Sequence, residues 1–298
     1  FVEQFLRAVG DDPSPNVRRN LKRLTSIDWL QSGLSQLTFL DEQAQVAFAQ
    51  AVGNSGLPHH EIMGVFKNLL RSGKLRARRA VAEMLVAFQG VEPNRLVMQA
   101  LRDDDVQVQA AALSQLRERG LPGAMATLIE ALDSEHPLLR ETARECLSEF
   151  DLPRYLNAFE GMSDEVRRNT GQLVSKVDVH AATSLREEME SLSRSRRLRA
   201  IEVAQSLGLI QTLEEPLLQL LSDDDHLIRL EAAEALAECP TDKTRMALRN
   251  ATLDSSPAVC TAAQRALDEM VFASSQPTTS PDTDHVQSFA RGRGGRSW

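Results

Sequence analysis

DDHLIRLEAAEALAE (224–238) and SSPAVCTAAQRALDE (255–269) are one unit written twice, with Arg229 over Cys260 at an offset of 31. Carried upstream, the same register falls on Arg197, Arg167, Arg140, Gln109, Arg78, Gln45 and Arg18. The intervals run 27, 33, 31, 31, 27, 30, 32 and 31 from the N-terminus. Self-similarity at such a period is the mark of a repeat architecture. Three columns test the register. One residue before it stand Val17, Ala44, Ala77, Val108, Leu139, Val166, Arg196, Ile228 and Val259. Three after it stand Leu21, Phe48, Val81, Ala112, Ala143, Thr170, Ala200, Ala232 and Ala263. Seven after it stand Thr25, Val52, Leu85, Leu116, Leu147, Val174, Ala204, Leu236 and Leu267. Each column is apolar at eight of nine positions, against 42% apolar residues in the chain, so the enrichment is not compositional. Offsets of −1, +3 and +7 trace one face of a helix.

Turns rich in Asp, Ser and Pro precede these helices: DDPSP (11–15), DDD (103–105), DSEHP (133–137), DDD (223–225) and the run from Asp254 through Ser255 and Ser256 to Pro257. Asp and Ser side chains accept hydrogen bonds from the first free N–H groups of a helix, and Pro suits its opening turn. Before each turn runs another short apolar-periodic stretch, such as LVMQAL (96–101), ATLIEAL (126–132) and PLLQLL (216–221). Pro58, Pro93, Pro122, Pro153 and Pro216 sit near the starts of those stretches, where a missing N–H costs little. Each unit therefore reads as helix A, acidic turn, helix B. A pair this short has too little interior to bury its own apolar stripe, so it must stack on its neighbours. Nine units, the second and sixth degenerate, predict an all-α, right-handed α-solenoid of antiparallel helix pairs over residues 1–272.

Composition agrees. Only 4% of residues are aromatic, and no long Val/Ile/Thr alternation argues for strands. A formal net charge of −8 gives no global attraction to nucleic acid or to an anionic membrane. No stretch approaches the roughly 18 apolar residues that span a bilayer. FVEQFLRAVG (1–10) lacks the pattern of a signal peptide and reads as the middle of an amphipathic helix, with sequence expected upstream. A soluble cytoplasmic protein is the expectation. Cys146, Cys239 and Cys260 form no CxxC pair and are expected as small buried thiols.

The turn Asp, the Val-Arg or Ile-Arg pair and the Ala-x-x-Ala-Leu tail resemble the short bacterial form of the HEAT repeat. The likeness is best in IRLEAAEAL (228–236), LLRETARECL (138–147) and VQAAALSQL (108–116), and extends over roughly residues 1–271. It implies a fold and leaves activity open. It also implies that each Arg pairs with the turn Asp of its own or a neighbouring unit, in a ladder along the stack. Arg18, Arg78, Arg140, Arg167, Arg197 and Arg229 match that pattern. Gln45, Gln109 and Cys260 depart from it, so the ladder is expected to break there.

Candidate chemistry is sparse. The triple aspartates 103–105 and 223–225 lack the Gly hinge and distal Glu of a calcium loop and stand where caps are needed. The histidines are dispersed, without zinc-ligand spacing. No nucleophile elbow, P-loop, dinucleotide fingerprint or HExxH is present. Some HEAT-like families do catalyse, DNA glycosylases and bilin lyases among them, but Trp29, Tyr155 and Trp298 are few aromatics for holding a base. No enzyme activity, cofactor or metal is expected.

Three basic runs stand at turn-to-helix-B junctions: VRRNLKR (17–23), RSGKLRARR (71–79) and RSRRLR (194–199). Clustered Arg is what carboxylate or phosphate recognition requires. Offsets +1, +2 and +5 face away from the core and would line the helix-B surface with Arg19, Asn20, Arg23, Arg79, Arg168, Asn169, Gln172, Arg199 and Glu202. The partner-binding residues expected are Arg19, Arg23, Arg79, Arg168, Asn169, Gln172 and Arg199. The expected function is a non-catalytic scaffold binding a protein partner, an acidic peptide or helix, on the concave helix-B face or its Arg-rich edge. The rivals are a nucleic-acid-binding solenoid and an accessory enzyme such as a HEAT-like lyase. Residues 273–298, ending in RGRGGR (291–296), read as a disordered polar tail.

Overall fold

The computed structural model describes residues 22–23 and 34–275, and among them every regular element is helical. The chain divides into two compact units, residues 1–157 with 176–178 and residues 158–175 with 179–298. The expected first repeat, with Arg18, lies almost wholly outside the described residues, as does the expected tail beyond Ser275, while residues 273–275, expected to open that tail, are helical.

In the N-terminal unit, helices α1 (Glu42–Gly53), α3 (Leu75–Met84), α5 (Val106–Leu113) with α6 (Leu116–Arg119), and α8 (Pro137–Cys146) carry the register residues. They are the B helices. Helices α2 (His59–Ser72), α4 (Val91–Ala100), α7 (Ala124–Leu132) and α9 (Leu152–Ala158) are the A helices. In the C-terminal unit the B helices are α10 (Asp164–Val177), α12 (Arg194–Leu207), α14 (His226–Ala235) and α16 (Pro257–Ser275). Helices α11 (Ala181–Met189), α13 (Glu214–Leu220) and α15 (Asp242–Ala251) alternate with them. B packs on B: α1 on α3, α3 on α5, α5 on α8, and likewise α12 on α14 and α14 on α16. A packs on A where α2 meets α4 and α11, α13 and α15 follow one another. Each unit is thus an α-solenoid, a stack of helix pairs in which every pair completes its neighbour's core.

The three columns form that core. Ala44, Ala77, Val108, Ile228 and Val259 are fully buried at −1, and so are Val81, Ala112, Ala143, Ala232 and Ala263 at +3. At +7, Val52, Leu85, Leu116, Leu147, Val174, Ala204 and Leu236 are at most 1% exposed. Small residues at +3 let the helices approach closely, while the larger ones at +7 fill the space below. The sixth repeat departs: Val166 is 46% exposed, and Phe159, at the end of the preceding helix A, is buried instead with the Arg167 guanidinium 4.2 Å from its ring centroid. Of the cysteines, Cys239 is buried, whereas Cys146 and Cys260 are only half-buried.

The turns explain the register residue. In all eight described repeats its side chain donates to a carbonyl of the preceding turn. Arg140 reaches Ser134 O at 2.7 Å, Arg197 reaches Ser191 O at 2.8 Å, and Arg229 reaches Asp223 O at 2.8 Å. Arg78 meets Gly73 O at 3.4 Å and Arg167 meets Phe159 O at 3.0 Å. The departures do the same work: Gln45 reaches Leu37 O at 2.7 Å, Gln109 reaches Asp103 O at 2.5 Å, and the Cys260 thiol approaches Asp254 O at 3.1 Å. The turn itself closes when the side chain six before the register accepts the N–H two residues on. Asp103, Ser134, Ser191, Asp223 and Asp254 all do so. Asp41, Asp105 and Asp225 then cap the following helices.

At the third repeat Gln45 stands in for that turn residue from one repeat away. Its Oε1 accepts the Lys74 N–H at 2.7 Å while its Nε2 holds Leu37 O, and the residue is fully buried. The expected break in the ladder at Gln45 is therefore corrected: the amide bridges two repeats with neutral groups. Arg119 plays a comparable part without any carboxylate. It donates to Phe88 O, Asn94 Oδ1, Leu85 O and Gln115 Oε1, and burial depresses its guanidinium pKa.

Replacing Gln45 by Leu keeps the volume and strands two backbone groups, which costs about 2 kcal/mol. Gln109→Leu removes one half-exposed bond and should cost less than half as much. Urea denaturation of the two variants measures the difference; equal losses would contradict the bridging role.

Candidate functional site

Two surfaces collect the polar residues that the sequence singled out. The first is the edge formed by the turns. Where an Arg at the register is followed, one repeat later, by Asp at the turn position six before the next register, the two pair. Arg78 Nε lies 3.0 Å from Asp103 Oδ2 and its Nη2 2.6 Å from Asp104. Arg197 Nε lies 2.9 Å from Asp223 Oδ2. Arg229 grips Asp254 with two bonds of 2.8 and 2.9 Å. Gln109 and Arg140 stay within their own turns; the next turns offer Ser134 and Gly161 at the accepting position.

The basic runs are engaged along this edge. Arg79 holds Asp105 through Nε at 2.8 Å and Nη2 at 2.7 Å, and Arg194 pairs with Asp225. Arg196 holds Glu188 at 2.7 and 2.6 Å. These contacts depress the Asp105, Asp225 and Glu188 carboxyls below their usual range, with the Arg hydrogen bond as the largest cause in each. A guanidinium so committed is a poor receptor for an outside anion, because a new partner must first displace an intramolecular one.

The second surface is the helix-B face. Arg79 borders an open depression of about 420 Å³ in the N-terminal unit, with Gln43, Gln50, Arg76 and Glu83. Arg168 borders another of about 520 Å³ in the C-terminal unit, shared with Glu202, Gln205, Glu231 and Glu238. Arg168, Asn169 and Gln172 are exposed on α10, and Arg199 is half-exposed on α12. Arg19 lies outside the described residues, and Arg23 is exposed within the short stretch 22–23. The structure therefore brings Arg168 together with acidic side chains from α12 and α14, and gives Arg79 to the ladder.

The carboxylates were the residues that sequence reasoning passed over. Glu231 stands at +2 of its helix, an offset expected to face outward but buried at Ala47, Thr142 and Ala262, and Glu238 follows beyond the end of α14. Burial raises both carboxyl pKa values, Glu231 further through Glu234 and Glu202. Among the described residues no group of three His, Cys, Asp or Glu is placed to hold a metal ion, and no helix is long and apolar enough to cross a membrane.

The family model for HEAT repeats matches residues 93–173 and 182–277, together more than half of the chain. No curated protein matches. Among solved structures, the designed armadillo repeat protein YIII(Dq)4CqI is 15% identical, with 91% of this chain and 100% of that chain covered and a TM-score of 0.28. The designed armadillo repeat protein YIII(Dq.V1)4CPAF, in complex with the peptide (KR)4, is 13% identical, with 90% and 99% covered and a TM-score of 0.29.

The Arg229–Asp254 rung has a defined pH signature. Arg229, then the Ser256 N–H, holds the Asp254 carboxyl below its ordinary range. Its stabilisation is complete above the unfolded value of about 3.9 and is lost as pH falls through the depressed folded value. Asp254→Asn should cost about 2 kcal/mol at pH 7, and the gap to the parent should close as pH falls below about 4. Thermal melts of both proteins across pH 2.5–7 (roughly, to bracket that range) read this; a pH-independent gap would remove the rung's ionic character.

Proposed function

The chain belongs to the HEAT-repeat family, and from that premise we propose that it is a non-catalytic scaffold which binds a protein partner along its helix-B face. The observation that carries the reading is the row at offset +5, which is polar and unburied in all eight described repeats, from Gln50 and Glu83 to Gln172, Glu202 and Arg265, opposite the buried columns. A row of parallel helices presents such side chains in a regular array, which suits an extended segment or a helix laid across it.

The finer reading, an acidic peptide or helix as partner, rests on Arg168 and Arg199. Among the described residues no ion pair engages either one, unlike Arg79 and the basic runs at 76–79 and 194–197. An acidic side chain of the partner would meet Arg168 without displacing a neighbour. The same engagement argues against a nucleic-acid stripe on the turn edge, where Arg78, Arg197 and Arg229 already face carboxylates and the whole chain is acidic.

A photo-crosslinking residue placed at Asn169 or Gln172 should trap the partner, and the same residue at Met98 or Met246, exposed on A helices, should not. Reversal of Arg168 and Arg199 together to Glu should weaken capture at least tenfold with the melt unchanged. Equal trapping from both faces would overturn the assignment. Binding of a labelled duplex with a steep salt dependence would replace it by nucleic-acid recognition.

A further inference from the structure

We draw no further inference here: the strongest candidate, the apolar surface that Val271 and Phe272 expose near the C-terminal end of α16, carries none because nothing among the described residues shows what covers it.

Discussion

Every described repeat has to close a short turn between two helices, and the structure depends on how the carbonyls and N–H groups of that turn are satisfied. The helices pack on both sides, so water cannot be relied on to complete the hydrogen bonds, and an orphaned group there would cost about 1–3 kcal/mol. One position supplies the donor each time. From the first turn of helix B, a side chain of sufficient reach folds back onto a carbonyl five to eight residues upstream. Arg does this with one nitrogen of its guanidinium and keeps the rest of its fork for the next repeat. Gln does it with its amide nitrogen and keeps an oxygen. Cys does it with a thiol and has nothing left over.

That leftover capacity decides which repeats are linked. Arg followed by Asp makes an ionic rung, as at Arg229 and Asp254; Gln45 makes a neutral one by accepting the Lys74 N–H. Arg140 shows that the residue type alone is insufficient: with Gly161 at the accepting position, its fork stays on its own turn. A rung is thus a property of two positions, one on each of two successive repeats, and counting Arg residues in a single column overstates some links and misses others.

This is why the fold was legible in the sequence and the site was less so. Helix periodicity is local, so the columns ending in Leu85, Leu116, Leu147 and Leu236 declare the core directly. The caps Asp105 and Asp225 are local as well, and their roles follow from spacing. Val166 misled because its repeat is short and Phe159 takes the buried place. The basic runs misled for a different reason: Arg79 and Asp105 are 26 residues apart, and an unaligned reading sees the cations without their partners. Gln45 was read as a defect because a chemical class, the cation, was taken for the function, which is donation to a turn.

The consequence for recognition runs opposite to a reading by local charge density. In the basic stretches, Arg78, Arg79, Arg194, Arg196 and Arg197 are engaged inside the fold, since stacking brings acidic side chains against them. Arg79 reaches the Asp105 cap from offset +1, whereas Arg168 at the same offset and Arg199 and Glu231 at +2 enter no ion pair among the described residues, so their charge is set by neither capping nor stacking. In a stack of this kind, selection for partner binding acts on those offsets without disturbing the turns. The surface that can vary independently of stability is the helix-B face, and the half-buried Glu231 carboxyl there is kept at an electrostatic cost that neither the turns nor the columns require.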